Sequence, residues 1–206
     1  TYFSPYLGPV YSDDLVFKAC RESGYSYASL DLDYLVEYLC ERKPIVMCRG
    51  RSESGPRALG NRSIMCVPDM ENGRDFLNFQ IKKREWYRPY APIILDKYVD
   101  DVLEDYLPES PYMSTSGTIK KEWRDRLSAV NHVDNSTRPQ ILKNEHNPFM
   151  YDLIERVYER TGIPVLLNTS FNKQEPIVET PEEAINTFKQ FDNIGLMVLH
   201  NMQVIK

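Results

Sequence analysis

The sequence predicts an α/β domain on a twisted, mixed β-sheet flanked by helices, and three observations lead there. Amphipathic helical stretches alternate with short apolar runs over most of the 206 residues, without a long linker or an internal repeat. The helical stretches carry their own start and stop residues. Not every pair of candidate strands is separated by a crossover helix, so parallel and antiparallel pairs are both expected. The length suits one substantial core, and residues 1–206 read as a single domain.

SDDLVFKACRESG (12–24) reads as a helix, with Ser12 as N-cap, Asp13 and Asp14 in the first turn and Gly24 past the end. DLDYLVEYLCERK (31–43) sets Leu32, Leu35, Val36 and Leu39 on one face, a second amphipathic helix stopped by Pro44. IVMCR (45–49) is a short apolar strand delivering the chain into an Arg/Gly segment, and SIMCV (63–67) is another strand. Residues 105–146 are the least regular and predict loops with short strands. NPFMYDLIERVYERTG (147–162) is the clearest helix: Asn147 caps it, Pro148 suits its first position and Gly162 ends it. IPVLLN (163–168) is a buried strand running into polar NTSFN. TPEEAINTFKQF (180–191) opens another helix, and IGLMVL (194–199) with MQVIK (202–206) closes the sheet.

No apolar run approaches the roughly 20 residues of a membrane span, and no signal peptide opens the chain. Cys20, Cys40, Cys48 and Cys66 lack C-x-x-C pairing, which reads as reduced thiols in a cytoplasmic protein. His132, His146 and His200 have no metal-ligand spacing, so no metal site is expected in this chain. With no initiator Met, the chain reads as a piece of a longer protein.

Charge is unevenly placed. Residues 49–88 hold nine cations against five anions, although the chain as a whole nets -5. That asymmetry favours a bound anion over diffuse nucleic-acid binding, which wants a wider basic surface. In RGRSESGPRALGNRS (49–63), Gly55 and Gly60 permit positive φ, with N–H groups able to face an anion. Arg57 and Arg62 add planar forks, and Asn61 a neutral donor and acceptor. The segment is neither a P-loop nor G-x-G-x-x-G, and a turn whose arginines pair with nearby carboxylates is an equal reading.

IKKREWYRPYAP (81–92) is either a solvated basic patch or a place where Trp86, Tyr87 and Tyr90 stack on Arg84 and Arg88. LLNTSFN (166–172) puts Asn168, Thr169, Ser170 and Asn172 beyond a strand's carboxyl end, where open α/β sheets form ligand crevices; an Asx-rich turn is the alternative. NHVDNSTRPQ (131–140) groups His132, Asp134, Arg138 and Gln140, with His132 either a proton shuttle or a structural residue. No Ser or Cys sits in a nucleophile elbow. The clusters share anion capture without a nucleophile, which suits positioning and electrostatic chemistry on a phosphorylated substrate.

In order, GPRALGNRSI, IKKREWYRPYAP, HVDNSTRPQ and TGIPVLLNTSFN…EPIVETPEEA closely resemble the C-terminal domain of the carbamoyltransferase family, from about residue 6 to residue 200. That family includes nodulation-factor and antibiotic O-carbamoyltransferases. The resemblance implies a YrdC-like fold, similar to enzymes of tRNA threonylcarbamoylation, in which ATP and carbamoyl phosphate give carbamoyl-adenylate with Mg²⁺ assistance. It also implies a separate N-terminal actin/Hsp70-like domain, carrying iron, that passes the carbamoyl group to a small, sugar-like hydroxyl acceptor. Lys82, Arg84 and Arg88 would then contact the phosphates and carbamoyl phosphate, with Lys82, Arg84 and His132 as the catalytic candidates. Arg57, Asn61 and Arg62 would shape the same anion pocket, and Asn168, Ser170 and Asn172 would bind nucleotide. His132, Asp134 and Arg138 fall in the family's His-x-Asp…Arg stretch.

Two departures stand out. Asn135 and Ser136 replace the family's Gly-Thr, and NKQEPIV lacks a glycine and is one residue shorter. A non-enzymatic nucleotide- or phosphate-binding module is the alternative function; an RNA-binding YrdC-like domain, using the basic, aromatic segment 82–90, is a third.

Overall fold

The computed structural model describes residues 4–70, 72–83, 85, 87, 88, 90–109 and 111–206. Its first half runs α1 (Asp13–Ser23), β1 (Ser26–Ser29), α2 (Leu32–Cys40), β2 (Ile45–Cys48) and β3 (Arg62–Cys66). A single turn α3 (Gly73–Asp75) continues into a π-helix, Phe76–Lys82, and then β4 (Ala91–Leu95). After a turn, α4 (Val99–Val102), come β5 (Leu103–Glu104), β6 (Gly117–Ile119), β7 (Ser136–Thr137) and β8 (Gln140–Leu142). The last part is α5 (Pro148–Thr161), β9 (Val165–Ser170), α6 (Pro181–Lys189), β10 (Leu196–Leu199) and β11 (Met202–Ile205).

Capping chemistry sets the helix starts. Ser12 accepts from the Leu15 amide and Gly24 ends α1 at φ 78°. Thr180 and Glu183 form a reciprocal capping box on α6. Asn147 accepts from the Met150 amide at 3.1 Å, and α5 then buries Met150, Leu153, Ile154 and Val157, each side chain worth roughly 1.5–3 kcal/mol when fully removed from water.

Eight strands form one sheet in the order β1-β11-β10-β2-β3-β9-β4-β8, and β5-β6-β7 form a second. β10 runs parallel to β2 and β4 to β8, while the other pairs are antiparallel, so the sheet is mixed as the sequence predicts. Every residue of β2, β3, β4 and β10 is buried, which requires both faces of the sheet's centre to be covered. α1 packs on α6, which lies against β2 and β10; α2 packs on α5, which lies against β4 and β9.

β9 differs from expectation. It extends through Asn168, Thr169 and Ser170, which pair with Met65, Ile64 and Ser63 of β3. Pairing with β3 along all three, and with β4 at Asn168, overrides the turn preference of these polar residues. No helix among the described residues is long and apolar enough to cross a membrane. The four cysteines are free thiols, and burial pushes Cys48 and Cys66 up to about 12.

Candidate functional site

The sheet's strand directions gather the polar clusters at one edge. β9 ends there with Ser170, while the antiparallel β4 begins there with Ala91, and β8, parallel to β4, begins there with Gln140. Between them lies a cleft of about 160 Å³ lined by Pro56, Arg57, Ala58, Tyr90, Ala91, Met113, His132, Arg138, Asn168, Thr169 and Ser170. Its charged groups are Arg57 and Arg138, with no carboxylate in the lining. Arg138 donates to the Met113 carbonyl at 2.7 Å, which steadies its guanidinium at the cleft wall. Asn168 is 2% exposed, donates Nδ2 to Ala58 O at 2.7 Å, and keeps Oδ1 buried without a partner among the described residues.

Behind Ser170 stands Lys82. Its Nζ, delivered by the last turn of the π-helix and 5% exposed, donates to Ser170 O (3.0 Å), Asn172 O (2.7 Å) and Asn172 Oδ1 (2.6 Å). Ser170 Oγ donates to Asn172 Oδ1 at 2.7 Å, so ammonium, hydroxyl and amide form one connected group at the end of β9. The π-helix is itself anchored by Asn78, which receives the Tyr90 hydroxyl at 2.8 Å.

His132 is half-buried and its Nδ1 lies 3.3 Å from Ser136 Oγ. Burial lowers its pKa, against the Asp134 carboxylate and the Tyr90 backbone, so the ring is neutral at pH 7. Asp134 does not line the cleft. Its carboxylate accepts from Ser136 N and Oγ, which hold its pKa below the usual range, and it shapes the turn that carries His132. Asn135 takes φ 64° in that turn, the left-handed conformation for which the family's glycine is suited.

The Arg/Gly segment is built differently from the expectation. Glu53 Oε1 accepts from the amides of Leu59 (2.7 Å), Asn61 (2.7 Å) and Arg62 (3.3 Å), while Gly60 N donates to Ser63 Oγ at 3.0 Å. Those four backbone donors therefore face the chain's own carboxylate and hydroxyl, not a ligand. Asn61 is a correction too: its side chain donates to Arg51 O and accepts from Asn147, both at 2.8 Å. Arg62 is a further correction. Fully buried, it donates to the carbonyls of Arg49, Gly50, Asn61 and Glu179 and reaches the Glu179 carboxylate at 3.5 Å. Of the segment's predicted wall, only Arg57 reaches the cleft.

In segment 81–92 the structure departs from the expectation at Arg88. Arg88 lies on the surface, paired with Glu85 at 2.9 Å, and not in the cleft. Tyr90 is buried with its hydroxyl on Asn78. Arg84 and Trp86, and with them the proposed stacking, lie outside the described residues. Arg49 and Arg51, left without a role by the sequence, stack on Phe149 at 4.1 Å and bond Gly8 O at 2.7 Å. Tyr90 and Met113 are lining residues, and Glu53 a bracing one, that sequence reasoning did not assign to the site. The irregularity around Met113 gave no signal, whereas Glu53 sat in view among the arginines.

Known proteins resemble this chain, some in sequence and one solved structure in fold. The nodulation protein NolNO of Sinorhizobium fredii is 41% identical over 165 residues, covering 79% of this chain and 24% of that protein. The uncharacterised protein MJ1051 of Methanocaldococcus jannaschii is 40% identical, covering 81% and 34%; the nodulation protein NolO of Bradyrhizobium diazoefficiens is 36% identical, covering 96% and 37%. The chain thus spans about a quarter to a third of the length of these relatives. Full-length HypF, solved in a phosphate- and nucleotide-bound form, superposes with a TM-score of 0.57 at 17% identity, covering 85% of this chain and 22% of HypF, a likeness of fold. Residues 36–206 match the family described as Carbamoyltransferase C-terminus, and the chain belongs to that family.

Proposed function

We propose that this domain binds carbamoyl phosphate and ATP at the carboxyl end of β9 and forms carbamoyl-adenylate, which a companion domain transfers to a small hydroxylated, sugar-like acceptor. The observation that carries the reading is the cleft itself: two guanidiniums, neutral polar groups and no carboxylate. Pockets for drug-sized ligands run to about 300–1,000 Å³. At about 160 Å³ this one suits a small polyanion such as carbamoyl phosphate, or the phosphate end of a nucleotide. Family membership and the nodulation relatives support the carbamoyl chemistry, and a phosphate- and nucleotide-bound HypF supports the ligand class.

The overall conversion consumes water, cleaving carbamoyl phosphate to carbamate and phosphate; a carbamate oxygen then bonds the α-phosphorus of ATP and pyrophosphate leaves. Arg57 and Arg138 would hold phosphoryl oxygens by charge-assisted bonds. The Lys82–Ser170–Asn172 group would add charge at the developing oxyanion, and neutral His132 would accept a proton and return it in a later step. The donor set does not fit a resident Mg²⁺: the cleft lining lacks carboxylates, and no cluster of three His, Cys, Asp or Glu exists among the described residues. Mg²⁺ would enter only as the counter-ion of ATP.

The test is carbamoyl-phosphate-dependent exchange of pyrophosphate into ATP by the full-length parent. ATP binding without that exchange sinks the catalytic reading. Arg57→Ala and Arg138→Ala should each weaken ATP or carbamoyl phosphate by roughly tenfold to a hundredfold in calorimetric titration, the worth of a charged hydrogen bond. A titration in which RNA binds more tightly than either ligand favours the RNA reading instead.

A further inference from the structure

A loop that binds an anion through its backbone must keep amides unpaired for it. The second half of loop 53–62, from Leu59 to Arg62, does the opposite. Leu59, Asn61 and Arg62 donate to Glu53, Gly60 donates to Ser63, and Gln140, Asn168 and Tyr6 donate to the carbonyls of Ala58 and Leu59. Gly60 holds φ 110°, and a Cβ there would meet Met150 Cε at 3.3 Å, so the backbone path is fixed by packing as well. Arg57 is the exception. It is exposed, lines the cleft, and makes no hydrogen bond or ion pair among the described residues.

We propose that Glu53 is a positioning residue: its carboxylate takes the place of an anion in the loop's amide nest and thereby mounts Arg57 over the cleft. The physical basis is geometric. Three converging donors on one carboxylate oxygen close the loop from Glu53 to Arg62 into a rigid ring, and an anion is the acceptor such a nest favours. With the ring closed, the segment carrying Arg57 is held at both ends, by Ser54 N on Pro5 O and by the bonds to Ala58 O and Leu59 N, which narrows where Arg57 can stand. Ordering Arg57 in advance spares a phosphate ligand part of the entropic cost of ordering it on binding. That Arg57 meets ATP or carbamoyl phosphate rests on the function proposed above; that Glu53 fixes the loop does not.

The test combines amide hydrogen exchange on the free protein with ATP titrations of Glu53→Ala, Glu53→Gln, Arg57→Ala and the Glu53→Ala/Arg57→Ala double variant. Exchange at Leu59, Asn61 and Arg62 should rise roughly tenfold or more in Glu53→Ala, the loss of charge-assisted bonds, and much less in Glu53→Gln, which keeps an acceptor oxygen. Glu53→Ala should weaken ATP in the parent, Glu53→Gln should recover most of it, and Glu53→Ala should add nothing in the Arg57→Ala background. A merely structural role would move thermal stability in both backgrounds and affinity equally in both. Unchanged exchange in Glu53→Ala, or additive losses of affinity, overturns the proposal. A parent that binds neither ATP nor carbamoyl phosphate sinks the functional reading, and the exchange result alone then upholds or overturns the Glu53 mount.

Discussion

His200 shows how far a residue's chemistry depends on neighbours that its own stretch of sequence does not reveal. It sits at φ 52° just past β10, in edge contact with Tyr11, and its Nε2 is buried without a partner among the described residues. Burial, followed by the charges of Arg62 and Arg49, pushes its pKa down to about 4. The unfolded chain takes up a proton near 6.5, so between about pH 6.5 and 4 the unfolded state binds more protons and stability falls as pH falls. His200→Asn removes the titration and keeps a residue tolerant of the left-handed backbone. Its melting temperature should decline less from pH 7 to pH 4.5 than that of the parent, by calorimetry; parallel profiles would assign the acid lability elsewhere. The sequence marks three dispersed histidines, and only the fold brings this one beside Arg62.

At the scale of elements, local chemistry was readable and long-range partnership was not. Ser12, Asn147 and Thr180 cap the helices their positions predict, because capping involves residues only a few apart. The π-helix Phe76–Lys82 and the polar end of β9 were not legible: the first has no periodicity signal of its own, and the second is made a strand by β3 and β4. Asn147 joins both kinds of information. It caps α5 through Met150 N and also donates to Asn61 Oδ1 at 2.8 Å, in a buried setting. Asn147→Ala should therefore lose the cap and strand a buried acceptor, together roughly 2–4 kcal/mol. Thr180→Ala, a cap in a more exposed setting, should cost about 1 kcal/mol. Urea midpoints compare the two, and equal losses would mean that the Asn61 bond contributes nothing.

For the whole molecule, the charge asymmetry of residues 49–88 points to a bound anion and assigns that charge to one role. The fold divides it: Arg57 faces the cleft, where it meets Arg138 from outside that segment, Lys82 stands behind Ser170, and Arg62 is turned inward. Arg62 joins three separate parts of the chain, since its guanidinium reaches the carbonyls of Arg49 and Gly50 after β2, of Asn61 before β3, and of Glu179 before α6. The Glu179 carboxylate is 38% exposed and 3.5 Å away, a weak partner, so the carbonyls are the main acceptors. Arg62→Met keeps much of the volume but takes the guanidinium donor from the carbonyls of Arg49, Gly50 and Glu179, Asn61 O keeping the Arg49 amide, and should cost roughly 3–5 kcal/mol, a large share of a typical domain's 5–15 kcal/mol. Glu179→Gln, which preserves the backbone bond, should cost under about 1 kcal/mol. Denaturant unfolding decides between the two origins, because equal losses would make the ion pair, and not the carbonyls, the source of stability. Under conditions where Arg62→Met is still folded, its ATP affinity should match the parent's, whereas Arg57→Ala should lose affinity and keep stability. An Arg62→Met protein that is folded yet fails to bind ATP would return Arg62 to the anion site from which its burial removes it.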